Sequence, residues 1–79
     1  MRKSISVKEG GVNLTLNSNI YLKKAVLLAC EAFGEGSFVN LDLVDGDYIV
    51  RLTPKEKGAE PEIIGYEFFN YVLGIMQNV

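Results

Sequence analysis

The chain has 79 residues, with eight Lys and Arg against ten Asp and Glu, no histidine and a single cysteine, Cys30. This composition excludes an intrachain disulfide and a cysteine or histidine metal cluster, and the net charge of −2 with a pI near 5.0 lacks the basic footprint of a nucleic-acid binder. A single domain of this size, spanning residues 1–79, buries only about 60% of its unfolded surface, so association with another chain is the reinforcement left to it.

The opening segment, SISVKEGGVNLTL, alternates apolar and polar residues on both sides of Gly10-Gly11. That period of two predicts two strands joined by a tight hairpin. With Gly10-Gly11 as the loop, Val7 faces Leu14 and Ile5 faces Leu16, all four on one side of the ribbon. The basic start, MRKSISVKEGG, is not followed by the apolar stretch of a leader. The longest apolar run, Ala25 to Cys30, is too short for a bilayer. We therefore expect a cytoplasmic protein that engages neither nucleic acid nor membrane, with Arg2-Lys3, Lys23-Lys24 and Lys55/Lys57 as scattered solubilising pairs.

A helix follows, with Ser18 or Asn19 expected as its cap and Gly34 as a left-handed stop. At about 100° per residue, Tyr21, Leu22, Ala25, Val26, Leu28, Ala29, Ala32 and Phe33 share one broad face. The small residues along its middle let the helix approach a sheet closely. Cys30 lies at the margin of that face and, with no histidine to activate it, reads as a small buried hydrophobe.

The second hairpin, FVNLDLVDGDYIVRLTP, turns at Asp45-Gly46, a strong type I′ pair. A two-residue loop there pairs Leu43 with Tyr48, Leu41 with Val50 and Val39 with Leu52, all pointing one way. Asn40, Asp42, Asp47, Arg51 and Thr53 point the other way, with Phe38, Val44 and Ile49 among them. Pro54 ends the strand by withholding an N–H. The acidic cluster of DLVDGD lacks the calcium-loop pattern, since Leu43 and Val44 interrupt it and residue 52 is Leu. GEGSF follows a helix instead of opening one, so it offers no phosphate cradle. No cofactor is implied.

After the charged loop KEKGAE, Pro61 and Glu62 suit the first turn of a last helix. Glu67, Asn70, Gly74, Gln77 and Asn78 occupy an arc of about 100° on it. The apolar residues, from Ile64 to Val79, spread over about 220°, far more than the stripe a sheet covers. Phe68, Val72 and Ile75 are expected to face the sheet. Phe69, Leu73, Met76 and Tyr66 are left as a contact strip, because methionine and aromatic residues are enriched at interfaces. The order ββαββα predicts an α+β, two-layer sandwich, with a four-stranded antiparallel sheet and both helices on one face.

The stretches IYLKKAVLLACEAFGEGSFVNLDL, YIVRLTPKEKG and YEFFNYVLGIMQ resemble the small His-Xaa-Ser system protein HxsD family over residues 12–77. Its members share an Ile-Tyr lead into an alanine-rich helix, a strand of the form V-x-L-x-P and a C-terminal helix met here by Glu67, Phe68, Asn70 and Leu73. Gly74 departs from an acidic tendency in the family, and the Leu-Arg-Glu ending is missing. The resemblance implies a bacterial system of radical-SAM maturases acting on a protein with His-Xaa-Ser repeats. It also implies that the small member is an accessory holding a maturase or its peptide substrate, with Glu67 and Asn70 as candidate contacts.

These residues together predict a non-enzymatic interaction module, homodimeric, that meets its partner through Tyr66, Glu67, Phe69, Asn70, Leu73 and Met76. The competing expectation is a small-molecule or peptide-binding domain with a pocket between helices and sheet. An enzyme built on tyrosines and carboxylates ranks third, because no partnered nucleophile is visible.

Overall fold

A computed structural model describes residues 4–78; the Arg2-Lys3 pair and Val79 lie outside the described residues. The elements run β1 (Ile5–Lys8), β2 (Gly11–Asn17), α1 (Lys23–Phe33), β3 (Ser37–Val44), β4 (Asp47–Pro54) and α2 (Pro61–Gln77). The four strands form one antiparallel sheet in the order β1-β2-β4-β3. Both helices lie on one face, as the two-layer α+β reading requires. The order itself could not be read from the sequence, and it places β3 at an edge.

The core is set by the two central strands. β2 and β4 pair Val12 with Leu52, Leu14 with Val50 and Leu16 with Tyr48, and all six side chains are buried under the helices. Phe68 and Val72 of α2 and Ala25, Val26 and Ala29 of α1 complete the cluster. Each large side chain fully removed from water contributes about 1.5–3 kcal/mol. Gly65 sets how near α2 comes, since a Cβ there would stand 3.1 Å from side-chain carbons of both Val12 and Leu14. Phe33 then bridges the helices, its ring edge-on to Phe68 at 5.2 Å and to Tyr71 at 5.6 Å.

The second hairpin has the register expected from its turn, with positive φ at Asp45 and Gly46. The first hairpin differs. Its loop is Glu9-Gly10, both at positive φ, so Ile5 pairs with Leu14 and Val7 with Val12. Gly11 instead opens β2. The Arg51 guanidinium lies across this turn, donating to the carbonyls of Lys8 (3.0 Å) and Glu9 (3.5 Å) and to Asn13 Oδ1 (3.3 Å). A Cβ on residue 11 would meet Arg51 Nη2 at 2.8 Å. The displacement is two residues, so the apolar face is kept.

Both expected ends of α1 also differ. Asn17 makes the turn into the helix: its carbonyl accepts from Ile20 and Tyr21, and its Oδ1 accepts from the Asn19 amide. Neither Ser18 nor Asn19 therefore caps, and the cap position falls on Leu22 without a side-chain bond. Gly34 is right-handed, with φ −65°, and its carbonyl is capped by Lys55 Nζ at 3.0 Å. α2 begins at Pro61, with Glu62 in its first turn, as expected.

Truncating Phe68 to Ala removes the largest fully buried side chain and is expected to cost about 3–5 kcal/mol. Urea denaturation followed by circular dichroism measures this, and a loss below about 1 kcal/mol would contradict the packing described.

Candidate functional site

The surface of α2 divides the six residues expected at the contact. Tyr66 and Leu73 are exposed, at 56% and 43%, and Asn70 is exposed beside them. With Ile63, at 52%, they recur at spacings of three and four residues, which places them in one stripe on the outer side of the helix. Phe69 and Met76 are not part of it. Both are partly buried and pack against the core, and the Phe69 ring lies 6.1 Å from that of Tyr21. The angular spacing alone leaves Phe69 and Met76 outside the sheet-facing seam. In the fold, Tyr21 precedes α1 and closes over one flank, taking Phe69 out of the strip. Ile75 packs against the core as expected.

Glu67 faces a different direction. With Ile64 and Tyr71 it lines an open cleft of about 490 Å³, closed on the other side by Phe33, Ser37 and Ala59. This cleft lies between the two helices and the loop that precedes α2. Ser37 opens β3, so the cleft also borders the near end of that edge strand.

A second exposed apolar surface follows β3. Leu41 and Leu43 point to the helix side of the sheet, but at 38% and 60% they remain accessible. Phe38 and Val44 are accessible on the opposite side. The alternation in the sequence gives their direction correctly. It carries no information on how far two helices reach across four strands, so the exposure of Leu41 and Leu43 was not legible. Leu22 and Leu28, expected on the buried face of α1, are likewise exposed.

Among the described residues no group of three or more His, Cys, Asp or Glu side chains could hold a metal ion, and no helix is long and apolar enough to cross a membrane. Asp45 is in the hairpin turn, Asp47 opens β4, and Asp42 Oδ1 accepts the Leu43 amide at 2.9 Å.

No family model, curated protein or solved structure matches the chain. The site is therefore read from its own geometry. What that geometry offers is contact area: an outward stripe on α2 that combines aliphatic, aromatic and amide groups, and a bare apolar strand edge.

Cys30 is half-buried, and that burial pushes its thiol above the ordinary range by disfavouring the thiolate. Because the folded-state value is the higher one, the related stability is present below the unfolded thiol value of about 8.5 and is lost as pH rises through the folded value. Iodoacetamide at pH 7.5 should therefore label Cys30 more slowly in the folded chain than in urea, a comparison mass spectrometry makes directly. Equal rates would contradict the burial.

Proposed function

We propose that this chain is a protein-interaction module without chemistry of its own, an accessory to a peptide- or protein-maturation system, which self-associates and presents the outer side of α2 to its partner. One observation carries the reading: Ile63, Tyr66 and Leu73 are large apolar residues held outward on a helix that already covers the sheet with its opposite side. Burying one such side chain in an interface is worth about 1.5–3 kcal/mol. Tyr66 adds a hydroxyl that tolerates a wet rim, and Asn70 between them adds an amide that both donates and accepts. The resemblance to the HxsD family supports the setting, a radical-SAM maturase or its His-Xaa-Ser-repeat substrate as the partner, in the cytoplasm of a bacterium. Glu67 and Tyr71 in the neighbouring cleft favour a second reading, in which an extended peptide lies between the helices with a basic side chain at Glu67.

Tyr66→Glu with Leu73→Glu tests the first reading. Both positions are exposed, so the thermal midpoint should stay within a few degrees of wild type. Affinity for the maturase or its repeat peptide should fall at least tenfold, about 1.4 kcal/mol, in isothermal titration calorimetry. Unchanged affinity removes α2 as the contact; loss only with Glu67→Gln moves it to the cleft.

A further inference from the structure

We infer that a second copy of this chain docks edge to edge on β3, antiparallel about a two-fold axis at Leu41, joining two four-stranded sheets into one of eight strands. The inference rests on the interaction-module reading and specifies where self-association occurs.

The two edges of the sheet are not alike. β1 has four residues and ends in Lys8, and a short charged edge is a usual guard against strand addition. β3 has eight residues, SFVNLDLV, with no lysine, arginine or proline. Phe38, Leu41, Leu43 and Val44 are all exposed along it. A hydrophobic edge of that length is a template for another strand.

The backbone groups available there follow from the turn. In a two-residue hairpin the flanking pair, Val44 with Asp47, exchanges its hydrogen bonds, and such pairs alternate along the ladder. Val44, Asp42, Asn40 and Phe38 therefore bond to β4. Val39, Leu41 and Leu43 aim their N–H and C=O groups away from it. The Leu43 amide, bonded to its neighbour's carboxylate Asp42 Oδ1, agrees with this direction.

A second copy fits this edge because the strand complements itself in one register. With Leu41 opposite its own counterpart, Val39 faces Leu43 of the second copy on the helix side. On the other side Phe38 faces Val44, and Asn40 faces Asp42. Every apolar residue then meets an apolar one, and the acidic side chain meets an amide donor. About six main-chain hydrogen bonds form across the seam. The Leu43 amide exchanges Asp42 for the Val39 carbonyl of the second copy, and Asp42 is compensated by the facing Asn40. Moving the register by two residues in one direction sets Asp42 against Asp42. In the other direction Phe38 is set against Asp42. Like charges directly opposite are unfavourable, as is an apolar ring against a carboxylate, so both shifts are worse.

Sedimentation equilibrium from low to high micromolar concentration tests the seam. The wild type should be a dimer. Leu41→Lys sets two ammonium groups face to face and should raise the dissociation constant at least thirtyfold, about 2 kcal/mol. Asn40→Asp and Asn40→Lys change an exposed residue and keep the fold. The first puts like charges, and the second opposite charges, at both Asn40–Asp42 pairs. Their dissociation constants should move apart, weaker for Asp and tighter for Lys, by about tenfold each. A monomeric wild type at high micromolar concentration overturns the seam. So does a shift of the same sign for both Asn40 variants, or a dimer broken by the Tyr66→Glu/Leu73→Glu pair but not by Leu41→Lys. A monomer that still binds the maturase overturns this seam alone, whereas a β3-linked dimer with no affinity for maturase or repeat peptide overturns the proposed partner alone.

Discussion

The approach of α2 to β2 at Gly65 governs the rest of the structure. With a Cβ 3.1 Å from Val12 and Leu14, the helix would have to lift or those two side chains to shift. Either change would loosen the seat of Phe68 one turn later. Phe68 in turn holds the edge of Phe33, which is how α1 is fixed relative to α2. A domain with so little core depends on such closeness, since dispersion contacts fall off within an ångström of separation.

That closeness decides what remains uncovered. α2 lies over β1, β2 and β4 while α1 reaches β3, yet the far edge of the sheet stays partly bare at Leu41 and Leu43. The exposed leucines of β3 are thus a cost of the same packing that buries Leu14 and Leu52. The outer stripe of α2 has the same origin, because a helix seated on one side by a glycine and a phenylalanine presents its opposite side to solvent. Both exposed surfaces are consequences of the fold's geometry, and each is built on regular secondary structure, where side chains are held more precisely than on loops.

Much of this was legible in the residues. The ββαββα order, the register of the second hairpin and the seam of Phe68, Val72 and Ile75 all follow from period and turn chemistry, which are local. Most of what was not legible is long-range. The first turn sits at Glu9-Gly10, where Arg51, distant in sequence, holds the carbonyls of Lys8 and Glu9. Phe69 and Met76 leave the expected contact strip because the core and the chain around Tyr21 close over them. Ser18 and Asn19 do not cap because Asn17 has already turned the chain. In the first two cases a side chain from elsewhere overrode a sound local preference, and in the third the adjacent Asn17 did. Of the expected site, Tyr66, Asn70 and Leu73 stand together on the outer stripe, while Glu67 belongs to the cleft.

The position of Arg51 has a bearing on how this chain can vary. Its Nη2 donates to the carbonyls of both Lys8 and Glu9, while Nη1 donates to Asn13 Oδ1. The length of the first loop is thereby recorded on a different strand. Most hairpin tips accept inserted residues at little cost, but insertion here would carry two carbonyls away from Arg51 Nη2 and leave the half-buried cation only Asn13 Oδ1. Lys55 is held to Gly34 and Gly36, but among the described residues no such side-chain bond spans residues 56–60. Grafted or naturally acquired sequence is better accommodated there, close to the cleft and to the start of α2.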